Sequence, residues 1–234
     1  AHGDDEPWLA WRARRCAERL RSLPLDLEPG ERLVGRFRFR EPTVGEEEQL
    51  EEARRALEGM PAFPGGDAGH FHPDYERLFD LGIGGLQREV EARRQEPGLD
   101  AEAQTFYDAC RIALEGMSAY VRRVGESCAE SAEQQEGERA RWLELAAICA
   151  QVATEPPETF YQALQLLFMT QVALWFGEDH ALTAPGRLDQ TLARLYDADL
   201  AAGRLTRRAA RPAEASRRRP PADGHGAAAG VSRR

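Results

Sequence analysis

Residues 156–200 read PPETFYQALQLLFMTQVALWFGEDHALTAPGRLDQTLARLYDADL, and this stretch decides the fold class. Across 160–176 the side chains are apolar nearly all round, the pattern of a helix that must be central to a helical assembly. Pro156 and Pro157 suit the first turn of that helix, where a missing N–H costs little. A Pro185-Gly186 turn follows. Leu188, Leu192, Leu195 and Tyr196 then predict a further helix that closes near Gly203.

Working outward toward the N-terminus, residues 138–152 predict a helix with Trp142, Leu145 and Cys149 on its stripe. Asp100 can cap a long helix before it. There Phe106, Cys110, Ala113, Met117, Tyr120 and Val124 recur at three- and four-residue spacing, a face wide enough to bury against other helices. Residues 61–85 are rich in Gly and Pro and predict a loop bearing a short helix around 75–80. Thr43 and Glu46 form a capping-box pair, because a threonine hydroxyl can satisfy an early helix N–H while the carboxylate reaches back. Leu50, Ala53 and Leu57 give that helix its apolar stripe, and Gly59 and Pro61 end it. In residues 33–39, Phe37 and Phe39 alternate with Arg36, Arg38 and Arg40 beside Gly30 and Gly35, which predicts a half-exposed strand. Trp8, Trp11, Cys16 and Leu20 predict a short Arg-rich amphipathic helix over 8–23, stopped by Pro24.

At 234 residues and 42% hydrophobic, the chain can bury one sizeable core, and 30% charged residues surround it with polar surface. The charge is uneven. Residues 204–234 hold nine Arg against Glu214 and Asp223, so a basic tail follows an acidic body. No Lys occurs anywhere, which no binding chemistry requires and which coding bias explains. Beyond residue 209 the periodic apolar residues stop, and residues 210–234 carry Pro, Gly, Ala and Arg, a composition expected to be disordered. Nucleic-acid binding through that tail would rest on phosphate contacts alone, without aromatics or a scaffold, and is not expected. Cys16, Cys110, Cys128 and Cys149 lack metal-like spacing and fall inside helical patterns, as reduced packing thiols do. No charged-then-apolar leader is present, and the longest apolar run, 164–176, is broken by Gln165, Thr170 and Gln171 and is too short to span a bilayer. The expected compartment is the cytoplasm, with no membrane.

Five patches in order carry a resemblance: GERLVGR at 30–36, AGHFHPDYERLFDLGIGGL at 68–86, FYDACRIALEGMSAYVRR at 106–123, WLELAAICAQV at 142–152 and the stretch at 156–200. Together they resemble the glycyl radical enzymes, pyruvate formate-lyase-like and on the dehydratase branch, over roughly residues 11–209. The resemblance implies a mainly α chain, the helical N-terminal part of an α/β barrel, with residues 1–209 forming a partial pyruvate formate-lyase-like domain and 210–234 a tail whose abrupt onset suggests a frameshift or truncation. It also implies carbon–oxygen or carbon–carbon bond cleavage, or a formate acetyltransferase-type reaction, on a small-molecule substrate. Such enzymes store a glycyl radical that an S-adenosylmethionine and iron–sulfur activating enzyme installs, and full-length relatives form homodimers. Both the radical glycine and the thiyl cysteine lie downstream of GRLDQ in similar enzymes. Gly224, Gly226 and Gly230 lack the surrounding motif, so the chain alone is expected to be inactive.

His70 follows Gly69 in a glycine-rich loop, where backbone can approach a ligand and an imidazole can exchange a proton near neutral pH; equally, a loop histidine can tie down its own turn. The resemblance assigns it the catalytic and substrate-binding role, since dehydratases of the family have a similar Gly-His followed by Asp-Tyr, kept here as Asp74 and Tyr75. His180, before the Pro185-Gly186-Arg187 turn, is by the same resemblance a substrate-binding residue. Its spacing to Arg187 differs by one residue, and Ala181 stands where a serine would hold a polyol, which weighs against a glycerol-like substrate. Arg187, Asp189 and Gln190 at a helix start read as pairing and capping groups. A competing metal site would use His70 and His72 with Asp67, Asp74, Glu178, Asp179 or His180, but two histidines on one loop are a weak signal and no Cys is near. A competing function is that of a non-enzymatic helical interaction protein whose basic tail recruits a partner.

Overall fold

The computed structural model describes residues 6–35, 42–56, 58, 71–179 and 183–206. Among them the chain is helical: α1 Trp8–Ser22, α2 Val44–Ala56, α3 Tyr75–Arg94, α4 Ala101–Gln134, α5 Arg139–Val152 after a 3-10 turn at Glu136–Glu138, α6 Phe160–Glu178, α7 Leu188–Thr191 and α8 Ala193–Ala201. This is the helical character expected from the sequence. The tail beyond residue 206, and the strand residues 36–39, lie outside the described residues.

The longest helix, α4, is the axis of the assembly. Asp100 starts it as expected, its Oδ1 accepting from the Ala103 N–H at 2.7 Å. Gly116 and Gly125 lie nine residues apart, about half a turn out of phase, and so open opposite faces of the helix. At Gly116 a β-carbon would come within 2.7 Å of Ala17 Cβ, so α1 seats there; at Gly125 it would meet Cys149 Cβ at 3.0 Å, so α5 seats opposite. Between them Tyr120, Val121, Val124 and Cys128 form one buried core with Leu20, Trp142, Leu145, Cys149, Leu166 and Met169. Burial of side chains of this size is worth roughly 1.5–3 kcal/mol each before the entropy of ordering is counted. The Ser118 hydroxyl donates to the Ala153 carbonyl at 2.8 Å and fixes the far end of α5.

Several expectations are corrected. The helix at 160–178 is not the central one. It packs mainly on α1, with smaller contacts to α5, α8 and α4, and Ala163, Leu166, Met169, Val172 and Ala173 are buried, while Leu164, Leu167, Phe168 and Phe176 are half-buried and Trp175 is exposed. Its apolar character exceeds what these neighbours cover. Pro156 and Pro157 precede that helix and do not form its first turn. Thr159 is the cap, in a reciprocal pair with Gln162, and Asp199 of α8 accepts from the Phe160 N–H at 2.9 Å. The helix expected only around 75–80 runs on to Arg94, because Gly82 breaks and restarts it: at φ 65 and ψ 173 the chain presses onto residues 154–156, and the Gly84 N–H bonds the Thr154 carbonyl at 2.7 Å. The helix predicted from Leu188 to Gly203 is split into α7 and α8 at Leu192.

Residues 33–35 are not in a strand, and the side chains of α4 and α6 supply their hydrogen bonds. Gln165 bonds both main-chain groups of Val34, Tyr120 donates to the Gly35 carbonyl and Tyr161 to that of Arg32. Thr43 and Glu46 do pair, but the Glu46 carboxylate takes both Thr43 bonds, from the N–H at 2.8 Å and from the hydroxyl at 2.9 Å. The α2 stripe is uncovered: Val44 and Leu50 are exposed and no residue of that helix is buried. Phe106, expected on the buried face of α4, is also exposed.

Candidate functional site

Two loops meet at the top of α3 and α7. The first ends in Phe71, His72, Pro73 and Asp74; the second runs through Thr183, Ala184, Pro185 and Gly186. They join as a parallel bridge between Phe71 and Thr183, with the Ala184 N–H donating to the Phe71 carbonyl at 2.9 Å. His72 lies against Gly186, so closely that a β-carbon there would sit 2.1 Å from His72 Nε2; with φ at 71 as well, only glycine fits the position. Asp74 turns the chain into α3, its Oδ1 accepting from the Arg77 N–H at 3.0 Å. Tyr75 then drops into the core, fully buried, its ring centroid 5.9 Å from that of Phe79 and 6.2 Å from the His72 ring. Burial pushes the Tyr75 phenol up, against the opposing effect of its hydrogen bond from Gln171. A cleft of about 340 Å³ opens beside these groups, lined by His72, Pro73, Asp74, Tyr75, Glu76 and Thr191.

His70 and His180, together with Asp67 and Ala181, lie outside the described residues, so their side chains are not placed. Their chain neighbours are. Phe71 adjoins His70 in the chain, Thr183 lies three residues after His180, and Phe71 and Thr183 are bridged. Gln171 was visible in the sequence only as a polar interruption of an apolar helix, and here it connects the two loops: its Nε2 donates to the Tyr75 hydroxyl and its Oε1 accepts from the Thr183 hydroxyl. Among the described residues, three carboxylates of the metal alternative are engaged elsewhere: Glu178 pairs with Arg12, Asp179 with Arg15 at 3.1 Å and Arg19 at 2.6 Å, and Asp74 caps α3. Arg187 forms a two-pronged ion pair with Asp189, at 2.9 and 2.7 Å, as its position at a helix start suggested.

All four cysteines lie within helices and none is in a disulfide. Burial, then the charge and hydrogen bond of Glu178, push the Cys16 thiol up to about 12. The Cys149 thiol is pushed up by its hydrogen bond to Cys128 and by burial, and Cys110 by burial.

The profile described as Pyruvate formate lyase-like matches residues 44–213, more than half of the chain. The chain belongs to the pyruvate formate-lyase-like family. Curated relatives include the probable dehydratase YbiW of Escherichia coli (strain K12), 33% identical over 141 residues, covering 58% of this chain and 17% of the relative. The (2S)-3-sulfopropanediol dehydratase of Klebsiella oxytoca is 34% identical over 148 residues, covering 60% of this chain and 18% of the relative. Among solved structures, a glycyl radical enzyme from Archaeoglobus fulgidus superposes with a TM-score of 0.74 at 25% identity, over 88% of this chain and 34% of that one. The pyruvate formate-lyase-like chain thus spans about a sixth of the length of these curated relatives, as a helical part of the glycyl radical enzyme fold.

Proposed function

We propose that this chain supplies two substrate-facing loops of a cytoplasmic glycyl radical lyase or dehydratase, with His70 as the acid that protonates a departing hydroxyl and His180 as a substrate contact. The single observation that supports the reading is the bridge between Phe71 and Thr183, residues that in the chain adjoin His70 and follow His180 by three. An imidazole suits the acid role because its ordinary pKa lies near neutral pH, and a loop position lets it reach substrate without giving up buried packing. No helix among the described residues is long and apolar enough to cross a membrane.

The family's radical chemistry requires a loop cysteine able to exchange a hydrogen atom with substrate. Cys16, Cys110, Cys128 and Cys149 do not fit that requirement: each is held in a helix, three of them are buried, and none is on either bridged loop. No chemical step is therefore assigned to them. The glycyl radical, the activating enzyme that uses S-adenosylmethionine and an iron–sulfur cluster, and homodimer formation belong to the complete enzyme in this reading.

The test joins this segment to the complementary remainder of a family dehydratase and compares the parent with His70→Ala. Removing a general acid is expected to lower turnover roughly 10²- to 10⁴-fold while the melting transition stays near that of the parent. Radical formation should survive the substitution. Unchanged turnover would refute the acid role, and joint loss of folding and activity would make His70 structural.

A further inference from the structure

We propose that Gln171 is the positioning residue that fixes the two bridged loops relative to each other, an inference that rests on reading those loops as the substrate-facing ones. The carboxamide of Gln171 projects half-buried from α6, among largely apolar neighbours such as Phe168, Val172 and Trp175, and desolvating an amide there is unfavourable unless its ends are bonded. Both ends are bonded, and to different loops. Nε2 reaches the hydroxyl of Tyr75, which is fully buried at the first position of α3, and Oε1 receives the hydroxyl of Thr183. The amide plane is rigid, so the separation of its two partners is set by one side chain anchored on a helix. The third side of the triangle is the main-chain bond from Ala184 to Phe71 at 2.9 Å. Thr170, one residue before it, bonds within its own helix to the Leu166 carbonyl at 2.8 Å, and Gln165 holds one segment by both ends; Gln171 differs from both in bonding two separate segments. Gln171 instead spans elements far apart in sequence, and its loss should loosen the loops while leaving the α1–α4–α5 core intact, because that core is held by other residues.

The experiment follows amide hydrogen exchange in the 234-residue chain. Gln171→Met keeps length and apolar bulk but removes both bonds; Thr183→Val removes one of them without changing shape; Thr183→Ser restores the hydroxyl. The expected result is exchange at the Ala184 amide at least roughly tenfold faster in Gln171→Met and Thr183→Val, unchanged exchange at Val121 and Cys149, and recovery in Thr183→Ser. The proposal is overturned if Ala184 stays as protected as in the parent, if Val121 and Cys149 accelerate by the same factor, or if Thr183→Ser does not recover. These outcomes do not depend on His70, so unchanged turnover in His70→Ala would remove the acid assignment while the loop measurement stands.

Discussion

The carboxamide of Gln165 bonds both main-chain groups of Val34, accepting from its N–H at 3.0 Å and donating to its carbonyl at 2.6 Å. Both residues are fully buried, so a helix side chain takes the place of a neighbouring strand for one residue of extended chain. Gln165→Leu would keep the volume and strand both groups. At about 1–3 kcal/mol for each of the two unsatisfied buried groups, the expected loss is roughly 2–6 kcal/mol, read as a lower urea midpoint with an unchanged slope. A loss below about 0.5 kcal/mol would mean that water replaces the amide.

Two glycines with positive φ should respond differently to alanine. At Gly82 a β-carbon would lie 2.5 Å from the Glu155 carbonyl carbon and from the Pro156 nitrogen, in backbone that cannot yield locally; Gly82→Ala is expected to cost more than about 3 kcal/mol. Gly30, at φ 87, has nothing within 4 Å of that position, so Gly30→Ala should cost only about 1 kcal/mol of conformational strain. Denaturant melts of the two variants side by side check the contrast.

Cys16 makes stability fall with rising pH. Its thiol stays protonated up to about 12 in the folded chain because burial and the adjacent Glu178 carboxylate disfavour the thiolate, whereas an exposed thiol ionises near 9.0. Below that lower value both states carry the proton and the contribution is complete; between about 9 and 12 only the unfolded thiol ionises, and the contribution is lost. Cys16→Ala should therefore flatten the decline in unfolding free energy across this window. Iodoacetamide at pH 8 is expected to leave Cys16 unmodified in the native chain and to alkylate it in urea.

Incubated anaerobically with a glycyl radical activating enzyme, the 234-residue chain is expected to give no glycyl radical doublet by electron paramagnetic resonance. Gly224, Gly226 and Gly230 lack the motif around the family's radical glycine. A doublet assigned to this chain by isotopic labelling of its glycines would overturn that expectation.

The sequence by itself determined the helical class, the Asp100 cap, the long stripe of α4 and the ordered patches that carry the family, because helical periodicity and capping act over neighbouring residues. Only the tertiary structure decided which helix is the axis. Composition favours α6, the most apolar helix, but centrality depends on how much of a helix its neighbours cover, and the glycines at 116 and 125 let α1 and α5 seat closely on opposite sides of α4. Likewise nothing local marks Val34 as served by Gln165, or Gly82 as the point where α3 can break and restart against residues 154–156. At the candidate site, Gly-His and Asp-Tyr were legible as a motif and the Pro-Gly turn as a turn. That Gln171 binds Tyr75 and Thr183 was not, since those partners stand 96 and 12 residues away. A half-buried carboxamide shows in sequence only as a polar residue in an apolar run, and the bonds that offset its desolvation exist only once the chain has brought distant segments within hydrogen-bond reach.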